Sequence, residues 1–385
     1  MLRLAGLDGQ DDRELITSQT GAEVVLGQVL YLNDQVLMSR PFDAEALAFT
    51  GPPRALLGGV LNLQAAHLGA FSASAAGVLG FVADEGQVGR AELEWLAPDG
   101  RSLGRLPGSL TSAQGLAISP DGTQLAVSEV DPATGAFDLW IDRLDRDAAV
   151  RFTYEPESEV LPRWTRDGRW ITYAVVSGQQ AAIARKPAGG SGEPELLVRM
   201  DESCFPCDWS HDGRRLVFSS RDASGDHDLW LLDLDHPAAP RVLRATPYSE
   251  ASAAFSPDDR WVAYHSTETG QWEVFVERLD GAGGRYRISR DSGGHPAWSP
   301  DGTCIYYLDL NGRLLATDVA IDGGDLTLGA TRVLARGLEL GLASAYAVDA
   351  RNGRLLVLRP VQDPSLQRLQ VVTGWPGLLG VAPRR

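Results

Sequence analysis

The sequence is poor in cysteine, with three among 385 residues. So small and odd a number excludes a disulfide framework. Cys204 and Cys207 form a Cys-x-x-Cys, but a zinc site would need a second pair of ligands. They stand at the entry to a predicted strand, where extended backbone would hold their Cα atoms too far apart for a disulfide bond. We therefore expect free thiols at this pair and place Cys304 in the core.

The sequence also lacks an excess of basic residues and has no long apolar runs. Its formal net charge of −16 argues against nucleic acid and anionic membrane surfaces as partners. No apolar run approaches the roughly 18 residues that a membrane-spanning helix needs. The start "MLRLAGLDGQDDREL" has no apolar core typical of a secretory signal. We expect a cytoplasmic monomer, or an extracytoplasmic one if the chain is cut from a membrane-anchored parent.

Glycine and proline are abundant, at 42 and 22 residues, and many of them fall in a recurring turn. The copies are "ISPDGT", "WTRDGR", "WSHDGR", "FSPDDR" and "WSPDGT". Aligned on the last turn residue, they stand at Gly122, Gly168, Gly213, Asp259 and Gly302. Weaker copies place Gly27 and Gly77 before this series and Gly353 after it. The chain therefore has eight units of about 45 residues, a length typical of one propeller blade.

Each unit also has the composition of an antiparallel sheet. Ser-Pro-Asp-Gly suits a type I turn, because Ser caps it, Pro presets φ and Gly closes it. An aromatic residue precedes the turn, a β-branched and aromatic run follows it, and two further strands complete the unit. Four strands per repeat predict an all-β propeller of eight blades, with seven as the alternative. We expect the aromatics before the turns (Trp164, Trp209, Phe255 and Trp298) to pack between blades. A β-solenoid is less compatible, since its repeats are shorter and its strands parallel.

The ends of the chain indicate how the ring closes. We predict a single domain over residues 1–385, in which strands within 1–16 complete the C-terminal blade at 343–378. In this scheme "RELI" is the closing strand. "LRLAGL" is then one strand too many, which suggests that the chain is cut from a longer protein.

The recurrent hairpin followed by "DLW" resembles the TolB-like propeller repeat. The likeness is closer to the propeller region appended to bacterial serine/threonine protein kinases, through "VLMSRPFDAEALAFTGPPRAL", "CFPCDWSHDGRRLVFSS" and a closing "QVVTGW". This resemblance implies an interaction or sensing module outside a kinase domain. The kinase motifs themselves are absent from the sequence, as is the Gly-x-Ser-x-Gly elbow of the hydrolases that follow some TolB-like propellers.

Candidate binding residues lie in the loops before the first strand of each unit. If the register holds, one rim of the channel carries Glu159, Asp201, Glu202, Glu250, Asp291 and His295, with Cys204 nearby. Such a ring of carboxylates could hold Ca²⁺, or a transition metal with His295 and a thiolate. The alternative is an acidic solvated loop face. Asp226 and His227 lie on the most variable loops and are candidates for recognition.

These observations favour a non-catalytic module that docks a protein, peptide or small ligand at the channel mouth, with no firmly implied cofactor. The alternative is a Ca²⁺-dependent hydrolase of esters, lactones or phosphotriesters acting from the channel. A third possibility is a scaffold without a ligand. The sequence identifies no catalytic or metal-binding residue.

Overall fold

The computed structural model describes residues 2–4, 13–16, 21–33, 36–57, 60, 62–63, 68–82, 90–111, 113–131, 136–146, 148–177, 180–221, 225–236, 240–322, 324–338, 344–361 and 369–379. The chain divides into two compact units, whereas the sequence predicted one domain. Unit 1 comprises Met1–Val88 with Val361–Arg385, and unit 2 comprises Gly89–Pro360.

Among the described residues the chain forms 37 strands and a short 3-10 helix at Trp375–Leu379. The first eleven strands are β1 (Leu2–Leu4), β2 (Arg13–Ile16), β3 (Ala22–Val25), β4 (Gln28–Asn33), β5 (Val36–Asp43), β6 (Ala48–Phe49), β7 (Arg54–Leu57), β8 (Asn62–Leu63), β9 (Leu68–Gly69), β10 (Phe71–Ala73) and β11 (Val78–Val82). The next are β12 (Arg90–Leu96), β13 (Ser102–Arg105), β14 (Leu110–Thr111), β15 (Gln114–Ile118), β16 (Gln124–Val130), β17 (Phe137–Arg143), β18 (Ala149–Arg151), β19 (Ser158–Trp164), β20 (Trp170–Ser177), β21 (Gln180–Pro187) and β22 (Glu195–Val198).

The remaining strands are β23 (Cys204–Trp209), β24 (Arg215–Arg221), β25 (His227–Asp233), β26 (Arg241–Arg244), β27 (Glu250–Phe255), β28 (Trp261–Ser266), β29 (Glu273–Arg278), β30 (Tyr286–Arg287), β31 (Gly294–Trp298), β32 (Cys304–Leu308), β33 (Leu314–Asp322), β34 (Asp325–Ala335), β35 (Tyr346–Val348), β36 (Leu355–Pro360) and β37 (Leu369–Thr373). No helix of this part of the chain is long and apolar enough to cross a membrane.

Unit 1 packs two antiparallel sheets against each other. In one sheet β3, β4 and β5 are neighbours and β5 also pairs with β6 and β7, and the other has the order β10-β11-β37. Leu30, Leu79 and Trp375 are fully buried between the sheets. Gly27 and Gly77 both lie in hairpin turns with positive φ, which confirms the two weak repeats predicted there.

Unit 2 contains six sheets, which we call blades 1 to 6. Blades 1 to 5 each use four consecutive strands: β15–β18, β19–β22, β23–β26, β27–β30 and β31–β34. Blade 6 has the order β35-β36-β12-β13, and β14 also pairs with β12. Together with the two sheets of unit 1, the described residues form eight antiparallel sheets of three or more strands. The predicted fold class, an all-β propeller built from four-stranded antiparallel blades, is confirmed.

Blade 6 closes the ring of unit 2, and the closing strand is not the predicted one. β36 pairs with β12 over six residues, from Ala91 opposite Pro360 to Leu96 opposite Leu355. "RELI" at 13–16 instead pairs with β1, and β37 pairs with β11, so the prediction that residues 1–16 complete a blade at 343–378 is wrong. The physical reason is burial. β12 presents alternating apolar residues that pack against blade 1, which a four-residue strand could not provide.

Six hydrophobic clusters hold the ring together, and each joins one pair of neighbouring blades. The pairs are 1–2, 2–3, 3–4, 4–5, 5–6 and 6–1. Between blades 2 and 3, for example, Ile183 packs with Trp209 and Phe218, and all three are fully buried. The predicted packing of the aromatics between blades is therefore confirmed. Cys304 is buried in the cluster between blades 5 and 6, as expected.

The repeated turns close with a hydrogen bond from the fourth residue to the carbonyl of the first, as in Gly302 N–H to Ser299 O at 2.9 Å. In blade 4 the fourth residue is Asp259, a non-glycine at φ 57°. Its carboxylate accepts hydrogen bonds from two backbone N–H groups of the blade 3 turn, from His211 at 2.6 Å and Asp212 at 3.0 Å. The departure from glycine therefore links two neighbouring turns.

Because all six clusters lie within unit 2, we predict that residues 89–360 fold without the rest of the chain. A fragment of residues 113–360 lacks β12 to β14 and should lose cooperative unfolding, since blade 6 would keep two strands and blade 1 would lose the apolar surface that covers it. Circular dichroism and thermal unfolding of the two fragments test this. Equal cooperativity in both would contradict the assigned closure.

Replacement of Asp259 tests the link between turns. We predict that Asp259→Gly lowers the free energy of unfolding by about 1 kcal/mol, although glycine is the better residue at positive φ, because two charge-assisted hydrogen bonds are lost. Asp259→Asn keeps an acceptor and should cost less. Denaturant unfolding measures both. A more stable glycine variant would show that backbone strain outweighs the link.

Candidate functional site: the central cavity of unit 2

The innermost strands of all six blades surround a cavity with a volume of about 480 Å³. β15, β19, β23, β27, β31 and β35 supply most of its wall. The repeated turns add Pro120, Pro257 and Pro300, and His211 stands at the corresponding position of blade 3. The cavity is therefore built by the repeat itself, with one set of equivalent positions from each blade.

A β-bulge interrupts the innermost strand of blades 1 to 5 at the same place. The register with the second strand shifts at each bulge, and the residue seven positions before the end of the turn often has positive φ. Gly115, Leu161, Ser252 and His295 have φ between 51° and 69° there. The blade 3 equivalent is Pro206, whose ring excludes this conformation. Left-handed non-glycine residues cost energy and cluster at functional sites.

Aromatic side chains of the wall use their polar atoms on the neighbouring blade. The indole N–H of Trp164 donates to Ala117 O at 3.0 Å, and that of Trp298 donates to Ala254 O at 3.3 Å. The hydroxyl of Tyr346 donates to His295 O at 2.6 Å. These side chains are fixed in place and leave mainly apolar surface to the cavity.

One ion pair lies in the wall. Arg166 donates to both carboxylate oxygens of Asp208 at 3.0 and 3.1 Å, and to Trp209 O at 3.2 Å. Asp208 also accepts the backbone N–H of Phe255 at 3.0 Å. Blades 2, 3 and 4 are thus tied together, and both charges are neutralised within the wall.

Arg163, Ser252 and His295 supply further polar groups. Arg163 donates from Nε to Cys207 O at 2.5 Å and from Nη1 to Pro162 O at 2.8 Å, while burial lowers the pKa of its guanidinium. Ser252 Oγ lies 3.1 Å from His295 Nδ1. These two residues come from adjacent blades and occupy equivalent left-handed positions.

The predicted rim residues do not gather around this cavity. Of that set His295 lines it, whereas Asp201, Glu202 and Asp291 are exposed elsewhere. Glu159 and Glu250 are strand residues at equivalent positions two blades apart, buried at 1% and 0% exposure. They stand near the beginning of their strands, before the bulge, while the cavity is lined from the bulge onward.

Burial changes the chemistry of these two glutamates. Burial is the main reason why the pKa of Glu159 is raised to about 8. The nearby carboxylates of Glu155, Asp138 and Glu157 act in the same direction, and the Thr153 hydroxyl acts against them because it favours the ionised form.

Burial also raises the pKa of Glu250, although Thr246, Arg244 and Ser266 lower it. Its Oε1 accepts the hydroxyl of Thr246 at 2.6 Å and that of Ser266 at 3.2 Å. Such groups are poorly suited to hold a hydrated cation at neutral pH.

Of the other predicted residues, Cys207 lines the cavity, whereas Asp226, His227 and Cys204 do not. Asp226 and His227 are half-buried where β25 begins, and the His227 N–H donates to Ser249 Oγ at 2.9 Å. Cys204 and Cys207 are free and buried, which confirms the predicted thiols. Burial raises the pKa of Cys204 to about 11, so its thiolate is disfavoured.

A metal site finds no support in this geometry. Within the described ranges, no three His, Cys, Asp or Glu side chains come close enough to hold an ion. Some of the carboxylates proposed for Ca²⁺ are exposed to solvent, and the two buried ones lie two blades apart. They therefore do not form a set of ligands for such an ion.

Sequence reasoning missed Arg163, Arg166 and Asp208. A signal existed, because these residues stand next to or within two positions of the aromatic that precedes each turn, on the strand that the turn spacing identifies. The bulge shifts the direction of the side chains, and the sequence pattern did not show it.

The pKa of Glu159 leads to a pH-dependent prediction. Since the folded pKa of about 8 exceeds the ordinary 4.5, the contribution of this group to stability is full below about pH 4.5 and is lost as the pH rises through 8. Glu159→Gln should therefore gain about 4 kcal/mol of unfolding free energy relative to wild type between pH 5 and 8.5. Denaturant unfolding across this range measures the difference. Exposed Glu202→Gln is the control, and a difference independent of pH would contradict the prediction.

Comparison with known proteins shows the fold. No protein-family model matches the chain. An uncharacterised protein of Agrobacterium fabrum is 28% identical over 163 residues, which cover 38% of this chain and 52% of that protein. Elongator complex protein 2 of Drosophila melanogaster is 30% identical over 138 residues, covering 32% of this chain and 16% of that protein. The chain thus spans about half of the first relative and a sixth of the second.

Among solved structures, a protein described as TolB from Agrobacterium tumefaciens superimposes with a TM-score of 0.55 at 17% identity. The match covers 71% of this chain and 99% of that one. The origin of the chain beside a kinase stays a prediction. The chain has the fold of a TolB-like β-propeller.

Proposed function

We propose that this protein is a non-catalytic binding module that docks a protein segment, a peptide or a small ligand in the central cavity of unit 2. The observation that carries the proposal is the convergence of six innermost strands on one cavity of about 480 Å³. This volume lies within the range of about 300–1,000 Å³ typical of ligand sites. The predicted channel mouth is thus retained as the binding place, with different residues.

The composition of the wall supports binding. Trp164, Phe255 and Trp298 supply aromatic surface, and three turn prolines supply rigid apolar surface. Polar and apolar atoms contribute about equally to the wall, so apolar contact can give affinity while hydrogen bonds orient the ligand.

Several side chains of the wall are also fixed in position before a ligand binds. The cross-blade hydrogen bonds of Trp164, Trp298 and Tyr346 fix these side chains on neighbouring backbone. A preformed wall loses little side-chain entropy when a ligand enters, so more of the contact energy appears as affinity.

The Ca²⁺-dependent hydrolase stays an alternative prediction without a specific observation in its favour. Metal-dependent turnover of an ester, lactone or phosphotriester that disappears in Glu159→Gln or Glu250→Gln would contradict the binding proposal.

Narrowing the mouth of the cavity tests the proposal. His211 and Ala350 line the cavity, are exposed and lie in turns of blades 3 and 6, so tryptophan can replace both without entering the core. We predict that ligands selected from a displayed peptide library and a panel of small metabolites bind the His211→Trp, Ala350→Trp variant at least about tenfold more weakly.

The matched control is Leu196→Trp, an exposed position on the outer strand of blade 2. Calorimetry and thermal unfolding would compare both variants with wild type. Equal affinity of every selected ligand for wild type and the narrowed variant would show that the cavity is not the docking site.

A further inference from the structure

Some polar atoms of the cavity wall already make hydrogen bonds or ion pairs within the protein, and others do not. Arg166 and Asp208 neutralise each other, and the aromatic N–H and O–H groups are bonded to backbone carbonyls. A ligand would have to break these interactions to use them, which makes them part of the wall.

Arg163 is different, because its guanidinium makes no ion pair within the described residues and Asp208 acts on it only at longer range. No carboxylate oxygen of the described residues lies within ion-pair distance of its guanidinium, whereas neighbouring Arg166 has its aspartate. Two of its five N–H groups donate to carbonyls, so three make no hydrogen bond within the described part of the chain. Carbonyl partners orient the guanidinium plane and leave its positive charge in place.

Other polar side chains line the same cavity as Arg163. Ser252 and His295 share one hydrogen bond across two blades, and His211 at the mouth has an exposed side chain. Among its described lining residues, the cavity therefore presents one guanidinium without an ion pair, further polar groups and apolar side chains, and its single carboxylate is already paired.

From this arrangement we infer that the cavity recognises a carboxylate, which binds the free N–H groups of Arg163 while the aromatic and proline walls hold an adjoining apolar group. The inference rests on the proposed binding function and names its ligand class. The carboxylate belongs to a peptide, as a chain terminus or an acidic side chain, or to a small organic acid.

A singly charged carboxylate suits this cavity better than a phosphate. The planar guanidinium matches the two oxygens of a carboxylate. One cation balances one negative charge, while the net charge of −16 repels a more highly charged anion. Phosphate binding is thus an outcome that the experiment must distinguish.

The experiment uses the full chain, immobilised, and three pools of tetrapeptides built from aromatic residues and proline. One pool has a free C-terminal carboxylate, one is amidated, and one is amidated with an internal glutamate. Phenylacetate, phenylacetamide and phenyl phosphate serve as small probes. Mass spectrometry measures how much of each is retained.

We expect wild type to retain at least one carboxylate pool, or phenylacetate, about 10- to 100-fold more strongly than its neutral counterpart. Which pool is retained shows whether a terminus or a side chain supplies the group. Arg163→Met should abolish this preference, and Arg163→Lys should keep part of it, since the charge remains without the planar fork.

Equal retention of charged and neutral probes by wild type, a preference that survives in Arg163→Met, or a preference for phenyl phosphate would overturn the inference. If neutral probes bind equally well but still depend on an open mouth, the carboxylate inference fails and the binding proposal stands. If retention of every probe is the same in the His211→Trp, Ala350→Trp variant, the binding proposal fails as well. Should Arg163→Met not fold, the comparison of charged and neutral probes on wild type decides.

Discussion

Apolar contact between neighbouring blades is the constraint on which the rest of unit 2 depends. Each of the six clusters takes residues from two blades, so a blade alone would expose both faces of its sheet to water. Every apolar face of a blade is covered only when the first and last blades contact each other. Blade 6 achieves this by pairing β12 with β36, strands separated by more than 250 positions in the sequence.

Closure of the ring brings the innermost strands together, and hydrogen bonds between blades then set the shape of the cavity. Trp164 bonds blade 2 to blade 1, and Arg163 bonds blade 2 to blade 3, from adjacent positions on one strand. Successive side chains of a strand point to opposite faces of the sheet, so these two neighbours contact opposite blades. Stability and site geometry therefore share the same residues.

The repeat made the fold predictable from the sequence. The strand that closes the ring and the residues that line the cavity were harder to predict. Turn spacing, turn composition and the aromatic before each turn are local features, so the hairpins at Gly122 to Gly353 could be predicted from them. Closure depends on which distant strand completes blade 6, and "RELI" and "RAELEWL" are both plausible strands by composition. The rim prediction failed for a related reason: Glu159 and Glu250 were placed in loops, but they belong to the strands and are buried.

The location of charge matters more for ligand choice than its total. Many acidic side chains of the described residues are exposed, and there partners such as Arg278 for Asp280 and solvent reduce their field. Between the walls of the cavity the effective dielectric is lower than in bulk water, so one guanidinium acts more strongly at short range than many screened carboxylates. A protein of net charge −16 can therefore have a central site that favours an anion. Long-range repulsion would slow the approach of that anion, and contact with the guanidinium would set its affinity.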